Sequence, residues 1–404
     1  MKSTYILYLC LFTYIFSEVL LSPFYPQFFE KTFAIDGTKF TGIFIFTCRL
    51  AVLLSTPVWG KFSQKINTTT LLLFALGCSP FLTGALAFAK TPYIFLCLTV
   101  LLLAAKSGML LIYPLLAETN GASDMSKKFQ LLFHGAIITA SLCGGLIMSL
   151  EEPIRIFIVL AIMDLLLFVL VWRVRKQIPV STQAAKTSDN KSADQKRSLS
   201  MPLVIFLLFG MAVFTFHFGN NIVRPYFTLY AEQTFLADSF TSSILFMLPN
   251  AAALMVMPWL HKWVTNENAL TFSVIAVFIL GLSLLLQWGA SFFWLFVGAR
   301  LFYGLFLASG QAAIDSSFFH LQKKGNTPYA YSLLLLFQNT AMLSAPIGAA
   351  YTAETYGLAM PFLAAALMLI ASFVFLYHLT WTAVPKWQTD IGKEEKNSHS
   401  VHTP

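Results

Sequence analysis

Residues 215–225 read TFHFGNNIVRP, and four of them carry groups that bind ions or polar solutes: His217, Asn220, Asn221 and Arg224. His217, Asn221 and Arg224 stand at i, i+4 and i+7, a spacing that aligns side chains on one stripe of a helix. A guanidinium on such a stripe suits a carboxylate or phosphate, because it donates two parallel hydrogen bonds to either. Elsewhere Tyr14, Glu18 and Tyr25 share a similar spacing, and Arg300, Tyr303 and Gln311 fall close to one helical face. Arg49, Lys106, Asn250, Gln338 and Asn339 add two cations and three neutral amides. No clustered His/Asp or Ser/His set accompanies them, and the five cysteines show no metal-ligand spacing and no disulfide framework. These residues read as a polar binding set with a protonatable carboxylate rather than an enzyme's centre, and no cofactor or metal is expected.

The elements that position them are set by composition. The chain has 404 residues, 57% of them hydrophobic and only 11% charged, where soluble domains average roughly 25% charged. The apolar residues come in blocks long enough for a helix to cross a hydrocarbon core of roughly 30 Å. Twelve such blocks are evident, at 4–28, 40–60, 70–89, 92–116, 129–150, 153–173, 201–230, 239–260, 268–288, 292–312, 328–352 and 359–381. They are numbered below as spans 1 to 12. None alternates as a barrel strand would. Span 1 is too long for a signal peptide, contains Glu18 and ends in SPFYPQFFEK, so it is expected to be retained.

The net charge of +8 is not spread as a nucleic-acid binder would spread it. With the segments between spans assigned alternately to two sides, the side holding both termini carries 18 Lys and Arg, and the other side four: Lys31, Lys39, Lys90 and Arg155. The positive-inside rule then places both termini in the cytoplasm, in a multi-pass plasma-membrane protein whose surroundings are the lipid bilayer. The remaining four cations, Arg49, Lys106, Arg224 and Arg300, lie inside spans.

A polar segment without aromatics, residues 173–200, separates spans 6 and 7 and reads as a flexible cytoplasmic linker. The expected organisation is a six-helix half at 1–172, the linker at 173–200, a second six-helix half at 201–383 and a polar tail at 384–404. The halves resemble each other at an offset of about 200 residues. PFYPQFFEK from Pro23 matches PYFTLYAEQ from Pro225, PVWGKFSQKIN from Pro57 matches PWLHKWVTNEN from Pro258, and LLFHGAIITASLCGGL from Leu131 matches LLFQNTAMLSAPIGAA from Leu335. A pseudo-repeat of this kind is a transporter signature, with the solute site near the midplane.

On these features the chain resembles the major facilitator superfamily. The loop between spans 2 and 3 is similar to that family's Gly-x-Leu-x-Asp-Arg-x-Gly-Arg-Arg motif. Gly60 and Lys65 keep its pattern, while Gln64, Asn67, Thr68 and Thr69 depart from it. RLFYG from Arg300 resembles the family's Arg-x-x-x-Gly pattern, and SPFYPQFF resembles the span 1 ending of its drug/proton antiporters. The resemblance implies an all-α membrane protein with twelve transmembrane helices in two six-helix halves. It also implies a central cavity lined by spans 1, 2, 4, 5, 7, 8, 10 and 11. Glu18, Arg49, Lys106, His134, His217, Arg224 and Arg300 all fall on those spans, and Asp164, in span 6, is the exception.

Charges at the bilayer centre cost at least ~2.5–3.5 kcal/mol each, so they face water or a partner. Each has a structural reading beside the functional one. Arg49 and Glu18 form an ion pair between adjacent helices or handle a proton; Lys106 snorkels or binds solute; Arg224 anchors at the interface or binds solute. His217, Asn220 and Asn221 pack and join helices or line a site. The charge balance favours a solute role: four fixed cations face one carboxylate, and an anionic solute supplies the missing negative charge. The expected function is a monomeric, proton-coupled secondary transporter working by alternating access on a small anionic or polycarboxylate solute, a metabolite or siderophore-like compound. In this reading Glu18 and Arg49 couple the proton, because a carboxylate's proton affinity rises on burial and falls beside a cation. Lys106, His217, Asn220, Asn221, Arg224, Asn250, Arg300, Tyr303 and Gln338 bind solute, and the Gly60–Lys65 loop serves the conformational change. The alternative is a multidrug/proton antiporter exporting lipophilic compounds.

Overall fold

The structure is a computed structural model that describes residues 2–63, 65–120, 122–178, 201–265, 267–321 and 327–385. Most of the expected linker and tail, residues 179–200 and 386–404, lies outside the described residues. Twelve helical stretches are long and apolar enough to cross a membrane: Ser3–Phe33, Gly37–Ser63, Thr68–Leu86, Pro92–Leu116, Lys128–Met148, Pro153–Gln177, Leu203–Phe235, Ser239–Trp259, Ala269–Gly289, Phe293–Leu321, Ala330–Tyr356 and Met360–Ala383. They coincide with the twelve expected spans, and no strand occurs among the described residues. Helices are the economical solution in lipid, where every backbone polar group must be satisfied within its own segment. Serine and threonine hydroxyls follow the same logic: those of Thr41, Ser79 and Thr99 bond back to the carbonyl four residues earlier.

The internal duplication is written into the backbone. The helix Lys2–Val19 stops ahead of a 3₁₀ turn at Ser22–Phe24 and resumes as Tyr25–Phe33. Leu203–Ile222 stops ahead of a 3₁₀ turn at Arg224–Tyr226 and resumes as Phe227–Phe235. Both resumed helices end on a non-glycine residue in the left-handed region, Ala34 at φ 53° and Leu236 at φ 51°. Both are followed by an aspartate that accepts a backbone N–H of the next helix, Asp36 from Thr38 and Asp238 from Thr241. Pro23 and Pro225 cause the breaks, because proline has no N–H and disfavours helical geometry in the residue before it. Arg224 therefore opens the 3₁₀ turn and does not continue the helix that holds His217 and Asn221. This corrects the single stripe expected for the three residues.

Contacts group the chain into two compact units. The larger gathers the first six spans with Arg224–Leu254 and Pro346–Ala359. Its aromatic core packs Phe28 on Phe95 at 5.3 Å and Phe29 on Phe44 at 4.9 Å between ring centres, with Phe24 also fully buried. At the end of this unit remote from Lys2, the two halves of the sequence meet. Tyr226 donates to the Thr38 carbonyl at 2.7 Å, and Thr228 donates to the Pro23 carbonyl. A Cβ on Gly145 of span 5 would lie 2.6 Å from Ser243 Oγ and 2.8 Å from the Ser239 carbonyl oxygen of span 8, an approach only glycine permits. The second unit holds the described parts of Asp194–Val223, Met255–Ala345 and Met360–Pro404. In it the Ser372 hydroxyl ties span 12 to the Ala212 carbonyl of span 7 at 2.9 Å.

Candidate functional site

In the larger unit, Glu18 sits one residue before the end of its helix with an exposed side chain. Arg49 is half-buried in the middle of span 2. Both charges act on Tyr14, Tyr25 and Cys48, and the Tyr14 hydroxyl is a hydrogen-bond partner of Glu18. Among the described residues no salt bridge joins Glu18 to Arg49. The two share the neighbours Tyr14, Tyr25 and Cys48 without being locked together.

Lys106 does not join them as a solute-facing cation. Its Nζ lies 2.8 Å from Asp164 Oδ2 and 3.0 Å from Oδ1, and the two side chains are only 4% and 3% exposed. Thr83 of span 3 donates to Asp164 Oδ2 at 2.8 Å, and Ser17 of span 1 lies 3.4 Å from Lys106 Nζ. A dry ammonium requires a counterion, and span 6 supplies it. The expected balance of four fixed cations against the single carboxylate Glu18 is corrected accordingly: the charge of Lys106 is neutralised by Asp164.

A second polar group in the same unit joins spans 5, 7 and 8. His134 Nδ1 and Asn250 Oδ1 are 3.1 Å apart, and the Arg224 charge acts on the imidazole. The Arg224 guanidinium lies 6.0 Å from the centre of the Phe246 ring. Sequence reasoning left the role of His134 open; its partner Asn250, 116 residues away, is what gives it context.

In the other unit, Tyr303 donates to Asn220 Oδ1 at 2.8 Å, which leaves Asn220 Nδ2 buried without a protein partner. Asn221 turns its Nδ2 to the His217 carbonyl at 2.7 Å, and its Oδ1 is likewise buried without a partner. The helix therefore holds an unsatisfied buried donor and an unsatisfied buried acceptor on adjacent residues. Arg300 is buried, bonds Gln287 Oε1 of span 9 at 3.3 Å and stacks 5.6 Å from the Tyr303 ring centre. Gln287 was not singled out from the sequence, because span 9 was expected to stand outside the cavity. Gln338 has only Met342 Sδ at 4.0 Å and is not brought to this group. Asp315, half-buried on the Phe293–Leu321 helix, is a further ionisable residue that the expected end of span 10 at 312 had excluded.

Gly60 lies within the Gly37–Ser63 helix with open space around it, and Lys65 is exposed in the turn that follows. Contact from this end of span 2 to span 4 is made by Trp59, whose Nε1 donates to the Ala104 carbonyl at 2.7 Å. Its ring packs against Gly108, and Ser55 bonds Ser107 at 2.8 Å. Asn67, which stands where the family motif has glycine, caps the next helix by accepting the Thr69 N–H at 2.9 Å. A cavity of ≈ 590 Å³ opens at the terminus-distal surface among Asp36, Lys39, Gln233 and Glu354, and none of the groups above lines it. Among the described residues no three His, Cys, Asp or Glu side chains gather as a metal site would require.

Twelve helical spans in duplicated halves, with polar groups buried among them, are the architecture of a membrane transport protein. The sequence-family model for the Major Facilitator Superfamily matches residues 7–287, and the chain belongs to that superfamily. No curated protein matches the sequence. Among solved structures, the human organic anion transporter MFSD10 (TETRAN) is 16% identical with a TM-score of 0.65, over 93% of this chain and 99% of that one. The nucleoside transporter NupG is 14% identical with a TM-score of 0.69, over 95% and 100%. The POT family transporter PepTSo is 12% identical with a TM-score of 0.71, over 96% and 98%. At these identities the likeness is one of fold.

Proposed function

We propose that the protein is a proton-coupled secondary transporter that carries a small organic anion by alternating access. The observation that carries this reading is the Arg224–His134–Asn250 group. The Arg224 charge and the Nδ2 amide of Asn250, whose Oδ1 faces His134 Nδ1, suit a carboxylate or phosphate far better than a lipophilic cation. Asn220, Tyr303 and Arg300 form a separate polar group within the other unit. Glu18 is the proton carrier in this reading, since its carboxylate is exposed and, among the described residues, no salt bridge ties it to Arg49. A solute anion that changes the exposure of Arg49 alters how firmly Glu18 holds its proton, and this links the two movements. By title, two of the fold neighbours are an organic anion transporter and a nucleoside transporter, so they support transport of polar solutes without selecting one. The distribution of Lys and Arg supports cytoplasmic termini in a plasma membrane, with the halves 1–172 and 201–383 joined by a cytoplasmic linker.

The test is flux in proteoliposomes under an imposed proton gradient. Glu18→Gln is expected to abolish uphill accumulation while leaving solute exchange, and full accumulation in this variant would refute its role. Arg224→Gln is expected to weaken stabilisation by organic anions in a thermal-shift screen. Stabilisation by lipophilic cations instead would favour multidrug export.

A further inference from the structure

Where the two halves meet at the terminus-distal end of the larger unit, a carboxylate sits among neutral groups. Glu232, on the Phe227–Phe235 helix, is half-buried. Its Oε2 accepts from Gln27 Nε2 at 3.2 Å and its Oε1 accepts from the Ser239 hydroxyl at 3.0 Å. Gln27 Nε2 also donates to Thr228 Oγ1 at 3.0 Å, and Thr228 holds the Pro23 carbonyl. One buried amide therefore ties span 1 to span 7 through two acceptors. The charged neighbours do not neutralise Glu232. Asp238, at the start of the next helix, carries the same sign and acts on it. Lys31, on the Gln27 helix, is turned to the Met148 and Leu150 carbonyls at 2.9 and 2.6 Å. Glu30 of that helix is exposed. Among the described residues no cation pairs with Glu232.

A second observation points to the missing group. Gln27 Oε1 is buried and has no donor. A buried carbonyl without a donor and a partly buried carboxylate without a cation are both costly, and a single proton on Glu232 relieves both. The neutral acid still accepts from Gln27 and Ser239, and its new O–H can donate to the Gln27 carbonyl beside it. The internal repeat sharpens the point: the residue equivalent to Glu232 in the first half is Glu30, which faces outward, so only the second half turns this carboxylate into the contact.

We infer that Glu232 and Gln27 form a proton-binding latch, in which a proton bound at Glu232 holds the terminus-distal ends of spans 1, 7 and 8 closed. The latch is separate from Glu18 and does not depend on what the solute is. Closure removes Glu232 from water, so the closed form binds the proton in preference to the open form, and by linkage acid favours closure while rising pH favours opening.

Hydrogen–deuterium exchange of the purified full-length protein, corrected for intrinsic rates, reads closure directly as protection of residues 22–33 and 224–239. In the wild type, protection is expected to fall by about tenfold for each pH unit over which the proton is released. Glu232→Gln, neutral at all pH values and still able to bond both partners, is expected to remain protected throughout. Gln27→Leu, which removes the amide but fills the space, is expected to lower protection and flatten its pH dependence. A wild-type profile that does not vary with pH, or the same pH dependence in Glu232→Gln or Gln27→Leu as in the wild type, would overturn the inference. Because conformation is read rather than flux, a failure here is distinct from a failure of the proposed transport chemistry.

Discussion

Removing either charge of the Lys106–Asp164 pair separates a structural role from a solute-binding one. With Nζ 2.8 Å from the nearer carboxylate oxygen, the Coulomb attraction at an effective dielectric of about 20 is ~6 kcal/mol. Desolvation of two groups that are 4% and 3% exposed offsets most of that, so the pair itself adds little net stability. A lone survivor is another matter. Lys106→Met leaves a buried aspartate with only Thr83 as donor, and Asp164→Leu leaves a buried ammonium near Ser17, each costing about 3–5 kcal/mol. The double variant Lys106→Met/Asp164→Leu restores neutrality with side chains of similar size. It is expected to unfold within about 1 kcal/mol of the wild type or to be more stable, since the Thr83 hydroxyl can turn back to its own helix. The assay is a double-mutant cycle on thermal or denaturant unfolding of the purified protein, with solute-induced stabilisation measured on the same samples. A Lys106→Met protein as stable as the wild type would refute the buried-pair reasoning. A double variant that folds normally yet loses solute binding would restore Lys106 to the binding site.

Two further variants probe other contacts. Gly145→Val drives a side chain into Ser243 and the Ser239 backbone; it is expected to cost ~1–3 kcal/mol in the closed arrangement and to raise the labelling rate of a cysteine placed at Phe246. An unchanged rate would show that spans 5 and 8 do not meet tightly there. Tyr303→Phe removes the one hydroxyl that satisfies Asn220 Oδ1, and leaving that buried amide unsatisfied costs ~1–3 kcal/mol. A loss of solute affinity on the order of tenfold, with unfolding shifted by the same free energy or less, is the expected outcome of titration on the purified variant.

The spans were legible because their signal is local: a run of apolar residues of the required length needs no knowledge of its neighbours. The duplication was legible for the same reason, since Pro23 and Pro225 impose their breaks wherever the chain goes. The errors came at polar ends and across long distances. Asp315 was lost because span 10 was closed at 312, whereas the helix continues to Leu321. Glu232 was lost in the same way, beyond a span 7 closed at 230, although the helix carries on to Phe235. Lys106 was given to the solute because its partner lies 58 residues on, on a helix assigned to the periphery, and no periodicity reports a pairing between helices. The Arg224 stripe was avoidable, because Pro225 already argued against a regular helix through that residue.

The Lys106–Asp164 pair also has an electrical consequence. A charge displaced across a membrane potential exchanges roughly 2.3 kcal/mol with the field per 100 mV. A cation and an anion held 2.8 Å apart act in that field as one neutral dipole, so their net charges cancel in any movement that keeps spans 4 and 6 together. In the proposed cycle, any dependence on membrane voltage therefore falls to the charges outside the pair, Glu18, Arg49, Arg224 and Arg300 among them. Splitting the pair would give span 4 a voltage sensitivity that the native chain has cancelled.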